Sequence, residues 1–164
     1  MPDPVRAMIV TGASSGIGRA LAFAAAREGY AVLLVARRAE RLDAVAREIR
    51  GFGGTAEALV VDVCVRDAAD RIVATAAHAF GRIDVLVNNA GGGAHGDLLA
   101  QSDAEIEAQW QQHVAAPLRL SRAALPHLER VRGSLVFVGS GVARVPVPAF
   151  GAYAPVKAAI RAAA

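Results

Sequence analysis

The chain has 164 residues, 54% of them hydrophobic, enough for one domain with a real core, yet no apolar run reaches the roughly 18 residues that span a membrane. The start, Met1-Pro2-Asp3-Pro4-Val5-Arg6, has no long apolar stretch of the secretory kind, and Cys64 is the sole cysteine, so intramolecular disulfides are excluded and a reducing cytoplasm is expected. A net charge of +3 and a pI near 9.7 do not imply nucleic acid, because the arginines are scattered through helical segments and aromatics make up only 5%.

The apolar run Ala7–Val10 predicts a first strand, and Ile17–Glu28 a first helix closed by Gly29. Between them lies Thr11-Gly12-Ala13-Ser14-Ser15-Gly16-Ile17-Gly18. A strand that turns on glycines into a helix N-terminus suits an anion, because the backbone approaches closely and orphan N–H groups face it. Gly12 makes the turn, Gly16 permits close approach, and Gly18 lets the helix pack on the sheet. The spacing is Gly-x-x-x-Gly-x-Gly, not the common Gly-x-Gly-x-x-Gly. Arg19 after Gly18 leaves no Lys-Ser/Thr pair for a triphosphate loop. A dinucleotide is the expected ligand; a glycine-rich turn with no ligand is the alternative.

Ala31–Val35 predicts the second strand and Glu40–Arg50 the second helix. The strand runs out into Ala36-Arg37-Arg38, with no carboxylate where a ribose hydroxyl would be bound. Guanidinium groups fork well onto phosphate, so Arg37, with Arg38 as a second candidate, favours a 2′-phosphate and hence NADP(H). Two solvated arginines opening a helix are the alternative. Ala58–Val61 is the third strand, Asp67–Phe80 the third helix, and Val85–Val87 the fourth strand. Asp62-Val63 and Asn88-Asn89-Ala90-Gly91 follow strands three and four, where ligands of open α/β sheets bind; ordinary turn chemistry explains them equally well. A helical region from Asp103 to Glu129 should bend at Pro117. Leu135–Val138 is strand five, and the chain is helical from Tyr153.

Continuous apolar strands alternating with helices predict a doubly wound parallel sheet, a Rossmann-like three-layer αβα fold in a single domain. Ser140 follows strand five, and Tyr153-Ala154-Pro155-Val156-Lys157 places phenol and ammonium on one helical face. Hydride transfer to a carbonyl leaves an alkoxide that a phenol can protonate, a nearby positive charge eases the phenol's deprotonation, and Ser140 could hold the carbonyl oxygen. Tyr-x-x-x-Lys is also a common surface pair. Against that, 17 of the 18 basic residues are Arg, and Lys157 is the only lysine. No metal is expected.

Thr-Gly-x-x-x-Gly-x-Gly, Asn-Asn-Ala-Gly, the serine after strand five and Tyr-x-x-x-Lys, in this order, closely resemble the short-chain dehydrogenases/reductases. The resemblance implies Tyr153 as general acid/base, with Lys157 binding the nicotinamide ribose and assisting the phenol, and Ser140 orienting substrate. It implies a cofactor lined by Gly12, Ser14, Ile17, Arg37, Asp62, Val63 and Asn89; Ser15, Gly16, Gly18, Arg38, Ala90 and Gly91, with Tyr153 and Lys157, are the further expected cofactor contacts. His113 takes the place of an Asn that commonly completes a proton relay, so it is either a relay residue or a helical His packed under the loops.

The family usually runs to roughly 250 residues, within single-domain range. Its last strands, substrate-shaping segment and part of its dimer helices are therefore expected to be missing, leaving strand five an exposed apolar edge. A fragment of a longer protein and a truncated reading frame both fit. The expected function is NADP(H)-dependent interconversion of an alcohol and a ketone or aldehyde on a small molecule, in a parent that is a homo-oligomer and binds neither nucleic acid nor membrane. A dinucleotide-binding module without a usable substrate pocket is the alternative. The stretches Gly92–Asp97 and Gly141–Gly151 should border that pocket, and neither carries a charged cluster.

Overall fold

Alternate residues of a strand point to opposite faces, and in the first two strands both sets are buried. That is why these segments read as unbroken apolar runs rather than alternating ones. The computed structural model describes residues 5–93, 96–145, 147 and 149–164. Its five strands are β1 (Ala7–Thr11), β2 (Ala31–Ala36), β3 (Ala56–Val60), β4 (Val85–Asn88) and β5 (Ser134–Phe137). They form one parallel sheet in the order β3-β2-β1-β4-β5.

On one face, Met8, Val10, Val32 and Leu34 pack against α1 (Gly16–Arg27) and α2 (Ala39–Gly51) through Ala22, Leu42, Val45 and Ile49. On the other, Ile9, Leu33, Val35 and Leu86 meet α3 (Ala68–Phe80) and α5 (Ala116–Val131) through Ile72, Val73, Leu120 and Leu128. The three-layer, doubly wound α/β architecture is therefore as expected. The order reverses between β1 and β4, so a crevice opens over their carboxyl ends.

The long fourth helical region is interrupted upstream of the expected bend. α4 (Asp103–Trp110) opens on a capping box between Ser102 and Glu105 and gives way to a π turn, Gln111–Ala115, before α5 begins. Pro117 has no N–H for the His113 carbonyl, and the chain widens so that the Ala116 N–H reaches Gln111 instead. Strand β3 starts two residues earlier than expected, and short 3-10 turns at Leu98–Ala100 and Gly141–Ala143 were not expected at all. The final helix, α6, is Tyr153–Ala163. β5 lies at the sheet edge with Leu135 and Val136 about 40% exposed, as expected of an apolar edge.

At the amino edge of the sheet, Asp84 ties β1 to β4: its Oδ2 accepts from the Ala7 N–H at 2.7 Å and from Arg82 Nε at 2.8 Å. Burial pushes this carboxyl up, but the Arg82 and Ala7 hydrogen bonds and the nearby Arg82 and Arg6 charges hold it below its ordinary value. No helix among the described residues is long and apolar enough to cross a membrane. Met1–Pro4, part of the stretch read for a secretory signal, lie outside the described residues.

Candidate active site

β1 delivers Thr11 to the head of the glycine turn, 2% exposed. Its hydroxyl donates to the Val87 carbonyl at 3.1 Å and accepts from the N–H groups of Asn89 and Ala90, each at 2.9 Å. Asn89 returns the bond, donating from Nδ2 to the Thr11 carbonyl at 2.8 Å. The two loops touch so closely that a Cβ on Gly12 would lie 2.8 Å from Asn89 Nδ2, and one on Gly18 would strike the Gly12 carbonyl. Gly12 also has φ +69°, a left-handed conformation that favours glycine. Thr11 heads the motif, yet its structural part was missed. The available signal was a hydroxyl-bearing residue ending an otherwise aliphatic strand.

Gly16 starts α1 with open space where a Cβ would stand. Ser15 at the N-cap makes no side-chain cap, and the first turn holds no acidic residue. The amide donors and positive dipole of α1 are thus left facing the crevice, an arrangement suited to an anion.

The crevice continues toward the ends of β2 and β3 as a hollow of about 240 Å³, bordered by Ser14, Arg37, Arg38, Asp62, Val63 and Gln112. The two arginines differ. Arg38 donates to Ser14 Oγ through Nη2 at 2.9 Å and Nε at 3.2 Å, and to Ser15 Oγ at 2.5 Å. Arg37 instead pairs with Asp62 Oδ2 at 3.6 Å and is largely exposed. Asp62 also accepts from the Cys64 N–H at 2.9 Å, the turn chemistry allowed for at that position. Gln112, from the π turn, was not anticipated.

At the other end, a hollow of about 250 Å³ shares Gly12, Ser15 and Gly91 with the first and adds Gly16, Ile17, Asn89, His113, Tyr153 and Lys157. Lys157 is 7% exposed and donates from Nζ to the Val138 carbonyl at 2.7 Å, with Nζ 5.6 Å from the centre of the Tyr153 ring. Burial pulls this ammonium below its ordinary value. It is not a surface lysine. Among the described residues, the Tyr153 hydroxyl has no hydrogen-bond partner.

The His113 ring packs edge-on to Tyr153, with Nε2 3.0 Å from the Gly92 carbonyl. A carbonyl only accepts, so Nε2 carries the proton, and Nδ1 is a buried acceptor without a partner among the described residues. A Cβ on Gly91 would overlap this ring, so Gly91 is what lets the loop close on it. Burial holds His113 below its ordinary value, with the Gly92 bond opposing and the Lys157 charge reinforcing the shift.

The crevice thus gathers the glycine turn, Arg37, Arg38, Asp62, Val63, Asn89–Gly91, His113, Tyr153 and Lys157. Ser140 stands one residue beyond the lining Gly139, its Oγ in a long 3.4 Å contact with the Val142 N–H. Beyond it, a cavity of about 330 Å³ is walled by Leu98, Val142, Ala143, Val147, Ala154 and Ala158. Of the stretches expected to border a pocket, Ala94, His95, Pro146 and Pro148 lie outside the described residues.

A family model described as short chain dehydrogenase matches residues 6–164. The chain is 44% identical over 156 residues to a short chain dehydrogenase of Pseudocercospora fijiensis, covering 93% of this chain and 50% of that protein. It superposes on the L-sorbose reductase of Gluconobacter frateurii complexed with NADPH and L-sorbose with a TM-score of 0.90 at 34% identity, over 96% of this chain and 60% of that one. An alcohol dehydrogenase of the archaeon Thermococcus sibiricus, complexed with 5-hydroxy-NADP, gives 0.92 at 33% identity, over 96% and 68%. The chain spans about half the length of the fungal relative.

Proposed function

The chain belongs to the short-chain dehydrogenase family, and from that premise we propose that it is an NADP(H)-dependent oxidoreductase interconverting an alcohol and a ketone or aldehyde. The observation that carries this reading is that one crevice is lined both by the open helix end at Gly16 and by Tyr153 with Lys157. The uncapped amides of α1 suit a pyrophosphate, and Arg38 with Ser14, backed by Arg37, suits a 2′-phosphate. Asp62 and Val63 would border the adenine, and Asn89, Ala90 and Gly91 the ribose beside it. The bound nicotinamide supplies or accepts the hydride. The cofactors held by the two matched structures agree with this assignment.

Tyr153 hands its phenolic proton to the carbonyl oxygen in reduction and takes it back in oxidation. Lys157, held on the same helical face by the Val138 carbonyl, supplies a fixed positive charge next to the ring and a donor for the ribose. Ser140 offers the carbonyl oxygen a second hydrogen bond. The unpartnered Nδ1 of His113 suits a proton relay running past Lys157. Among the described residues the cavity beyond Ser140 has no charged lining, which favours an apolar substituent on the carbonyl carbon.

Calorimetric binding of NADPH and NADH, followed by turnover of a panel of ketones and aldehydes, tests the reading. Tight NADPH binding with turnover that falls about 100-fold or more in Tyr153→Phe is the expected result. Binding without turnover would assign the chain to dinucleotide binding alone, and undiminished turnover in Tyr153→Phe would remove the tyrosine from the chemistry.

A further inference from the structure

A helix begins with amide donors that its own carbonyls cannot satisfy, and the position of its first residues depends on what meets them. α6 begins with Tyr153, so the placement of the phenol is set at that end. Ala152 at the N-cap offers no side-chain cap. Its N–H is bound from far along the chain, by Oε1 of Gln101 at 2.7 Å, across 51 residues. The same carboxamide lies flat on Gly151, where a Cβ would sit 2.7 Å from Gln101 Cδ; Gly151 has φ +44° and turns the chain into the helix.

Gln101 is itself well held. Its N–H closes the 3-10 turn Leu98–Ala100, and the next residue, Ser102, caps α4 with Glu105. The two loops meet once more, through the Gly96 N–H and the Ala149 carbonyl at 2.9 Å, but that contact lies three residues before Ala152. Among the described residues, Gln101 is the only side chain hydrogen-bonded to the backbone that enters α6.

We infer that Gln101 is a positioning residue for Tyr153, fixing the first turn of α6 so that the phenolic hydroxyl stands where the reacting oxygen will be. Gln101 touches neither Tyr153 nor Lys157 in the hydrogen-bond network, so it acts through the backbone of Gly151 and Ala152. The inference rests on the oxidoreductase reading above. An acceptor oxygen is what the position requires. Gln101→Met keeps the length and removes the acceptor, whereas Gln101→Glu keeps the acceptor and adds a charge that a helix N-terminus tolerates.

The test compares both variants with the unmodified chain in kcat, KM, NADPH affinity and amide hydrogen exchange. Gln101→Met is expected to lower kcat by about tenfold, a loss of alignment rather than of a reacting group. NADPH affinity should stay within about twofold, and exchange should quicken at residues 151–156 only; Gln101→Glu should restore kcat and exchange. Unchanged kcat in Gln101→Met despite faster exchange at 151–156 would overturn the inference. So would a fall in NADPH affinity and stability together that Gln101→Glu fails to restore, which is the mark of a merely structural role. An unmodified chain that neither binds NADPH nor turns over a carbonyl would sink the oxidoreductase reading instead. In that case the exchange contrast between the two variants still decides whether Gln101 orders the start of α6.

Discussion

His113 and Tyr153 meet edge to face, their ring centroids 5.1 Å apart and their planes inclined at 77°. The contact places a 3% exposed imidazole against the proposed acid, with its second nitrogen committed to the Gly92 carbonyl. Burial disfavours a second proton on the ring and outweighs the Gly92 bond, which favours it. Lys157 adds a positive charge that also opposes that proton.

A pH dependence follows. The folded chain holds His113 below its ordinary value near 6.5, while the unfolded chain does not. Between those two values the unfolded state binds more protons, so stability is fully present above pH 6.5 and is lost as pH falls toward the depressed folded value. Denaturant titrations across that acidic range should show a falling unfolding free energy, and His113→Gln should flatten it. An equal slope in the variant would place the titrating group elsewhere.

Thr11→Val is expected to destabilise the protein although shape and volume are nearly kept. The change strands the N–H groups of Asn89 and Ala90, and an unsatisfied buried donor costs about 1–3 kcal/mol. Urea unfolding measures the loss, and Thr11→Ser, which keeps the hydroxyl, should recover most of it. Calorimetry on the same two variants should show weaker NADPH binding in Thr11→Val, because this hydroxyl joins the glycine turn to both Asn89 and Ala90.

Asp84 predicts a second loss of stability, further into acid. Its carboxyl is held below the ordinary 3.8, so the stability it contributes is present above pH 3.8 and lost as pH falls through the lower folded value. Asp84→Asn should cost about 1.5–3 kcal/mol at neutral pH, the usual worth of a hydrogen bond to a charged group. The variant should also lose part of the acid-unfolding limb. A variant that unfolds in acid with the unmodified slope would contradict the Ala7–Asp84–Arg82 linkage.

What could be read in the chain beforehand was whatever is local. Ala7–Val10 and Ala31–Val35 announce themselves because both faces are buried, and Gly12, Gly16 and Gly18 because a turn into a helix leaves few other choices. The partners of Thr11 at Asn89 and of Gln101 at Ala152 were not legible, since a hydrogen bond across 78 or 51 residues has no periodicity to betray it. The π turn was half legible. Pro117 marks a missing donor, but where the helix absorbs the defect depends on what packs around His113 and Gln112. The sequence put Arg37 ahead of Arg38 for the phosphate, and only the three-dimensional turn decides which one reaches Ser14.

That distinction carries the last prediction. Arg38 is oriented by Ser14 and Ser15 beside the glycine turn, whereas Arg37 is exposed and shares its charge with Asp62. A 2′-phosphate needs a guanidinium already aimed at it, because holding a long side chain in one rotamer costs entropy. Arg38→Leu should therefore weaken NADPH binding by about 10- to 100-fold, the equivalent of one charge-assisted hydrogen bond, and leave NADH within about threefold. Arg37→Leu should weaken NADPH by less, since Arg37 is largely exposed and its charge is already shared with Asp62. Calorimetry with both cofactors decides it: a larger NADPH loss in Arg37→Leu than in Arg38→Leu would show that the Asp62 pair opens on binding and that Arg37 takes the phosphate.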